Sequence, residues 1–367
     1  MKPQQTQINS NYDRIPWLDT LRFLSAFIVV IAHCRVNFFS IFSQLDTEYQ
    51  TFSTKIFYLL TSFSDDAVFV FFLLSGFLVG GGVLNSIFHR EQIDWRRFVI
   101  SRFVRILIPL FASLLLCVLV HYLEGKTPSF VNIIGNALSL QGAFVPNEGG
   151  VLWTMPYIVW SYVFLLSLIL IDSKIRKNQI IGLGVFCITI SLFLLFPHPK
   201  CFLCVALGAL SYFLRRIKFP KWFLILSLLV VALTAIIAKF AKPSMSRDVS
   251  MFSFVNLDVL NFIEAFFIAI LLSHIVKINP KRNISIKLDK IGSKLSVFSY
   301  SLYLSHYPLI KIMLWLGFPR STVVDLSSVS FFIFVILLCV GLGYVFYLLF
   351  EKPTGIFRKW LLRKLAV

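Results

Sequence analysis

Residues 17–34 read WLDTLRFLSAFIVVIAHC, an apolar segment that contains one arginine, Arg22, and one histidine, His33. Ionisable side chains at membrane depth are costly and usually face a protein interior or a water-filled cavity, so they indicate a functional site. Eleven helical positions bring the second side chain within ~20° of the first and roughly 16 Å further along the axis. The spacing predicts a basic group near one membrane surface and a proton acceptor nearer the other, on one stripe of one helix.

The composition indicates an integral membrane protein. The 367-residue chain is 58% hydrophobic, contains 40 Phe and has a mean hydropathy of +0.83, while only 14% of its residues are charged. Lipid solvates such a chain, whereas water does not. The net charge of +18 comes from short basic clusters between apolar runs and not from one basic patch, so we expect a bilayer and no nucleic acid as partner. The six Cys lie in or beside apolar segments, which predicts neither disulfides nor a metal site.

Ten apolar runs predict an all-α polytopic protein with about ten transmembrane helices. With both termini assigned to the cytoplasm, 25 of the 35 Lys and Arg residues fall on the inner side, as the positive-inside rule requires. We therefore expect a cytoplasmic N-terminal segment (1–16), a transmembrane domain (17–350) and a basic cytoplasmic tail on the inner surface (351–367). The predicted spans are 17–39, 67–88, 104–123, 151–171, 179–197, 201–214, 222–239, 257–276, 295–316 and 328–350.

A second basic site is predicted beside Arg22 on the inner side. Arg102 and Arg105 are three residues apart, share a helix face and precede or open the third span. There they would add guanidinium forks to a helix N-terminus that already favours anions. Asp19 lies one helical turn before Arg22. Ordinary positive-inside charge is the alternative interpretation of these arginines.

Other polar groups in the spans carry weaker hypotheses. Ser75 with Gly76 indicates close helix approach or a kink more than a nucleophile. Tyr303 and His306 in the ninth span either line the same cavity as His33 or serve as structural hydrogen-bonding groups. Glu264 is a lone intramembrane carboxylate without an assigned role. We interpret Glu351, beside Lys352, as a cap at the membrane interface.

Taken together, these motifs resemble the integral-membrane acyltransferase type 3 family, which comprises bacterial proteins of ten helices that O-acetylate glycans. The resemblance runs from the first span to the tail. Many members carry a Glu a few residues after the tryptophan of the fourth span, and here Ile158 and Val159 occupy that stretch. We expect no esterase-like domain after the last span, although many members carry one. The motifs are Arg22-x10-His33, Phe72-Leu-Leu-Ser75-Gly-Phe77, Arg102-x-x-Arg105, Leu152-Trp153-Thr154, Tyr300-Ser-Leu-Tyr303-Leu-Ser-His306-Tyr-Pro308 and Glu351-Lys-Pro353.

The resemblance implies a membrane O-acyltransferase of the bacterial inner (cytoplasmic) membrane. Acetyl-CoA or another acyl-CoA would be a donor substrate bound at Arg22, Arg102 and Arg105, with no permanently bound cofactor and no metal. His33 would act as general base toward a hydroxyl of a glycan or lipid-linked saccharide, such as lipopolysaccharide. Trp153 joins Asp19, Ser75, Tyr303 and His306 as a candidate lining residue. A separate periplasmic partner would assist the transfer if the membrane domain does not complete it.

The alternative from the residues alone is a transporter or flippase of lipid-linked saccharides. Ten spans, intramembrane Arg and His, and basic inner loops are compatible with it. The absence of a visible internal repeat and the clustering of arginines at one surface disfavour it.

Overall fold

The computed structural model describes residues 15–241 and 256–365, and these residues form an all-α bundle without β-strands. The predicted all-α polytopic membrane fold is therefore confirmed. Most of the predicted segment 1–16, and residues 366–367 of the predicted tail, lie outside the described residues. The helices, in chain order, are α1 (Leu18–Phe38), α2 (Phe52–Leu60), α3 (Ser64–Ser75), α4 (Gly81–Phe88), α5 (Trp95–Leu123), α6 (Phe130–Ala137), α7 (Met155–Ile171), α8 (Arg176–Leu195), α9 (Lys200–Leu214), α10 (Lys221–Phe240), α11 (Leu257–Ile275), α12 (Asn283–Ser296), α13 (Ser299–Trp315), α14 (Leu326–Phe346) and α15 (Thr354–Lys364).

Membrane-spanning helices make up most of the bundle. Within the described ranges, eight helical segments are long and apolar enough to cross a bilayer. The shorter apolar α9 and the 17-residue α13, which packs between α1, α5 and α14, bring the number of bundle helices to the predicted ten. Lipid explains why these segments are helical, since backbone groups in hydrocarbon must be satisfied within the segment itself.

Helix α1 lies at the centre of the site-bearing half of the bundle. It packs against α3, α13, α12 and α14. Apolar side chains on several faces of α1 pack against these neighbouring helices, and Ala26, Val29, Val30 and Cys34 are fully buried. Because nearly all positions of α1 are buried or half-buried, packing fixes the direction of the side chains that it carries.

The close approach predicted at Ser75–Gly76 is confirmed. A Cβ on Gly76 would lie 1.9 Å from the carbonyl oxygen of Val205 in α9, and one on Gly208 would lie 2.1 Å from the carbonyl oxygen of Leu73. A π-helical turn, Gly76–Gly80, continues α3 into α4 at this contact. Small residues on both helices thus let the two backbones touch, as in many membrane bundles.

Several elements differ from the predicted spans. The third span begins at Trp95 instead of residue 104, because Asp94 caps α5 and accepts hydrogen bonds from the backbone N–H groups of Arg96 and Arg97. The predicted ninth span starts too early, since residues 295–296 close the separate helix α12 and α13 begins at Ser299. The short helices α6 and α12 lie outside the ten bundle helices, whereas α2 and α15 belong to the long helical segments Phe52–Phe88 and Leu326–Lys364.

Candidate active site

The first turn of α1 is held by the segment that leads into and forms α12. Trp17, which precedes α1, has a φ of 70°, a left-handed value that bulky residues rarely adopt. Its backbone N–H donates to Asp289 Oδ1 at 2.9 Å, and its indole N–H donates to the Ile278 carbonyl at 3.1 Å. These bonds fix the end of α1 that carries Asp19 and Arg22.

A polar pocket of about 390 Å³ opens at this end of α1, on the predicted cytoplasmic side. Arg22 Nη1 lies 3.5 Å from Asp19 Oδ1, and both side chains are about three-quarters buried. Arg105 of α5 and Arg358 of α15 line the same pocket. Four cationic side chains against two carboxylates give the pocket a positive excess suited to an anionic ligand. The lining residues are Asp19, Arg22, Arg105, Ser293, Ser296, Val297, Tyr347, Glu351, Lys352, Thr354, Gly355 and Arg358.

The two predicted arginines of α5 line different cavities. Arg105 joins the pocket at Arg22, whereas Arg102 lines a neighbouring cavity of about 160 Å³ with Arg97 and Asp94. The prediction that both arginines lie at a helix N-terminus is wrong. Since α5 begins at Trp95, they lie two and three turns inside the helix, where backbone N–H groups are already used.

Glu351 is the functional candidate that sequence reasoning missed, because the interpretation as an interface cap was wrong. The residue ends the π-helical turn Tyr347–Glu351 and is 6% exposed. Its carboxylate accepts hydrogen bonds from Ser301 N–H at 3.1 Å and from Ser301 Oγ–H at 2.6 Å, and it lies 4.0 Å from Arg105. It thus links α13 to the arginine pocket. An acidic residue directly after an apolar run, on the side of the arginines, was the available signal.

Nearer the other end of α1, His33 and His306 form a hydrogen-bonded pair. His33 Nδ1 lies 2.8 Å from His306 Nε2, and the two rings are nearly parallel with centroids 5.1 Å apart. His306 is fully buried. The structure therefore brings into contact two histidines that are 273 residues apart in the chain, while the choice between a shared cavity and a structural role for His306 stays a prediction.

The direction of the hydrogen bonds follows from a backbone carbonyl. His306 Nδ1 lies 3.1 Å from the Leu302 carbonyl oxygen, which can only accept, so His306 Nδ1 carries the hydrogen. In the neutral pair His306 Nε2 is then the acceptor, and His33 Nδ1 donates to it. The remaining nitrogen, His33 Nε2, keeps a free lone pair. This is the tautomer that a general base needs.

A proline and a serine fix the segment of α13 around His306. Pro308 has no N–H, so the Leu304 carbonyl, four residues earlier, lacks its usual helical partner. Ser113 of α5 supplies the hydrogen bond, with Oγ 2.7 Å from that carbonyl oxygen. This bond ties α5 to α13 next to the histidine pair.

The segment Gly150–Thr154, which precedes α7, packs on the same part of α13. Tyr303, whose ring lies 5.8 Å from that of His306, donates to the Val151 carbonyl at 3.0 Å and shares a hydrogen bond of 2.8 Å with Thr154. The ring of Tyr307 lies 6.1 Å from that of His33 in an edge-on arrangement. Tyr303 therefore lies beside the histidine pair, and its role as a cavity-lining residue stays a prediction.

Two other predicted lining residues lie elsewhere. Ser75 Oγ is hydrogen-bonded to the Tyr162 hydroxyl at 2.8 Å, which gives it a structural partner. Trp153 contacts the His198 ring, with centroids 5.5 Å apart, at the predicted outer side. Burial lowers the pKa of His198, and the Lys200 ammonium lowers it further, so this imidazole is neutral near neutral pH.

Apolar packing separates the arginine pocket from the histidine pair. Ala26 and Val29 lie on the α1 stripe between Arg22 and His33, and both are fully buried. Val29 belongs to the hydrophobic core that also contains Tyr303. The two polar sites therefore lie on either side of packed apolar residues, about 16 Å apart along the axis of α1.

Glu264 joins neither site. It is buried in α11 and, with Asp66, lines an apolar cavity of about 460 Å³ between α1, α3, α10 and α11. Asp66 forms an ion pair with Lys239 there. Across residues 15–241 and 256–365, no three His, Cys, Asp or Glu side chains come together as a metal site.

Fold and site define a polytopic membrane protein with an anion-suited pocket toward one side of the bilayer and a histidine pair nearer the other. Residues 15–348 match the family model described as an acyltransferase domain, Acyl_transf_3. The chain therefore belongs to the acyltransferase 3 family and is a membrane acyltransferase. No curated protein and no solved structure in the comparisons matches this chain.

Proposed function

We propose that the protein transfers an acetyl group, or another short acyl group, from cytoplasmic acyl-CoA to a hydroxyl of a saccharide at the outer leaflet of the bacterial inner membrane. The observation that carries this proposal is that one helix, α1, bears an anion-suited pocket at one end and a base with a free lone pair nearer the other. Membership of an acyltransferase family disfavours the transporter alternative.

The donor phosphates bind the arginine pocket in this proposal. Arg22, Arg105 and Arg358 offer guanidinium forks that match phosphate oxygens in pairs. Arg102, which lines the neighbouring cavity, adds to the positive potential at the opening of the arginine pocket. The uncharged pantetheine arm then extends along α1 toward His33, past Ala26 and Val29, whose side chains have to move aside.

Transfer occurs at His33 Nε2. The imidazole takes the proton of the acceptor hydroxyl as that oxygen attacks the thioester carbonyl. The C–S bond breaks, the acyl group stays on the acceptor oxygen, and the CoA thiolate receives the proton from the imidazolium. His306 accepts the His33 Nδ1–H throughout and is a positioning residue. Neither a serine nucleophile nor a bound cofactor is needed.

A saccharide is the acceptor class that fits the outer side. Trp153 lies partly exposed there beside His198, and an aromatic face with polar neighbours suits the apolar face and hydroxyls of a sugar. The membrane domain performs the final transfer in this proposal, alone or with a periplasmic partner.

The test uses acetyl transfer and glycan composition together. Membranes containing the wild-type protein should move radiolabelled acetyl from acetyl-CoA to surface glycan, and NMR of glycan from deletion and complemented strains should differ by acetyl esters. His33→Ala should lower the rate by about 10²–10⁴-fold. His274→Ala in α11, which removes a histidine outside both sites, should leave it unchanged. Wild-type rates for His33→Ala would disprove the assignment of the base.

A further inference from the structure

Helix α12 presents an unusual face to the rest of the protein. Its buried positions are small or polar: Asp289, Gly292 and Ser296, which share one side of the helix. A Cβ on Gly292 would lie 2.0 Å from Thr20 Oγ1, so α12 touches the first turn of α1 directly. The face that packs against the protein is therefore the polar one.

Three apolar residues of α12 point away from the protein, whereas Leu295 packs against its core. Ile284, Leu288 and Ile291 are 74%, 52% and 44% exposed and recur at i, i+4 and i+7, which makes one stripe. This is the reverse of a helix on a soluble protein, whose apolar stripe faces the core. An exposed apolar stripe of this kind is covered by something other than water.

Lysines run beside the apolar stripe. Lys287, Lys290 and Lys294 are exposed and share the adjacent face of α12, at i, i+3 and i+7. Helices with an apolar stripe flanked by basic residues lie in the membrane interface, where lysines meet lipid phosphates and the stripe enters the acyl-chain boundary. Basic segments at the inner surface are attracted to anionic lipids in particular.

We propose that α12 is a binding surface for anionic phospholipid, such as phosphatidylglycerol, in the inner leaflet. Headgroups contact Lys287, Lys290 and Lys294, and acyl chains cover Ile284, Leu288 and Ile291. The charge of the lysine face argues for lipid over a second copy of this chain, because two such faces would repel one another.

Lipid bound to α12 also acts on the arginine pocket, and this step rests on the proposed function. Ser293 and Ser296 of α12 line that pocket, and Asp289 holds Trp17 at the start of α1. Lipid that holds α12 in place therefore also holds in place the residues of α12 that line the arginine pocket. Loss of lipid contact should raise KM for acyl-CoA and change kcat little.

The direct test measures lipid binding without any catalytic readout. Full-length protein in detergent is titrated with phosphatidylglycerol or phosphatidylcholine, and bound lipid is counted by native mass spectrometry. Wild type should bind phosphatidylglycerol more tightly. The triple variant K287Q/K290Q/K294Q should lose about tenfold or more of that affinity. The control K174Q/R176Q/K177Q removes the same charge from exposed basic residues at the start of α8, on the predicted inner side, and should behave as wild type.

Three results would overturn the lipid site: equal binding of the two lipids by wild type, unchanged binding by the triple variant, or equal loss in the control. Dimerisation that L288Q abolishes, without any lipid effect, would assign the stripe to a second copy. In a second arm, proteoliposomes containing phosphatidylglycerol give KM and kcat for acetyl-CoA. Absence of acetyl transfer by wild type would overturn the proposed function and leave the lipid titration standing.

Discussion

Removal of His306 tests whether the histidine pair works as one unit. His306→Ala deletes the acceptor 2.8 Å from His33 Nδ1, so a donor in a buried site loses its partner. An unsatisfied buried hydrogen-bonding group costs about 1–3 kcal/mol. If that cost falls on the transition state, kcat decreases about 5- to 150-fold, because about 1.4 kcal/mol corresponds to a factor of ten. This loss is smaller than the loss expected for His33→Ala.

A conservative variant and a neighbouring control separate positioning from folding. His306→Gln places an amide oxygen near the position of Nε2 and should recover part of the rate. Ser305→Ala changes a buried residue of the same helix whose Oγ has no hydrogen-bond partner among the described residues, so its rate should match wild type. The assay is transfer of radiolabelled acetyl in proteoliposomes, with kcat and KM measured separately. The effect should appear in kcat.

The double variant His33→Ala/His306→Ala provides the decisive comparison. Residues that act as a unit show strongly non-additive losses, so the double variant should be no slower than His33→Ala alone. Additive losses, or a wild-type rate for His306→Ala, would refute the reasoning that His306 acts through His33.

Three further changes test the link between Glu351 and α13, the contact between α3 and α9, and the path between the two polar sites. Glu351→Ala, which removes two hydrogen bonds to α13, should lower the free energy of unfolding by about 2–3 kcal/mol, and Glu351→Gln by less, in thermal or denaturant unfolding in detergent. Gly76→Ala should lower the free energy of unfolding by about 3 kcal/mol or more, because the new Cβ would collide with the Val205 backbone. The control Gly184→Ala should change the free energy of unfolding by less than about 1 kcal/mol, because a Cβ there has no neighbour within 4 Å. Ala26→Phe fills the path between the sites and should abolish acetyl transfer while calorimetry still detects CoA binding; normal transfer would contradict a path along α1.

The membrane fold could be predicted from sequence because the signal is local. An apolar run has to satisfy its own backbone in lipid, so each run predicts a helix without knowledge of its neighbours. The stripe that carries Arg22 and His33 follows from helical geometry alone. The same holds for Ser75–Gly76, where the absence of side-chain bulk indicates a close contact before the partner helix is known.

Contacts between distant segments could not be predicted in this way. From sequence, Glu351 is interpreted as an interface residue. In the structure, the π-helical turn at the end of α14 places its carboxylate within hydrogen-bonding distance of Ser301 in α13. Arg102 and Arg105 read as one site, but the early start of α5 and the packing of its neighbours place them in separate cavities. Helix α12 could not be recognised from sequence because its apolar residues are separated by lysines and polar residues, so most of it reads as a basic segment between two predicted spans.

The packed residues Ala26 and Val29 have a consequence for the form in which a donor can pass along α1. Both side chains are fully buried, so the stripe of α1 between the arginine pocket and the histidine pair is apolar and tightly packed. In the proposed reaction only the uncharged arm of the donor enters this region, and the charged nucleotide stays on its own side. In this proposal the acyl group thus passes the two residues without a charged atom entering the apolar part of the bundle.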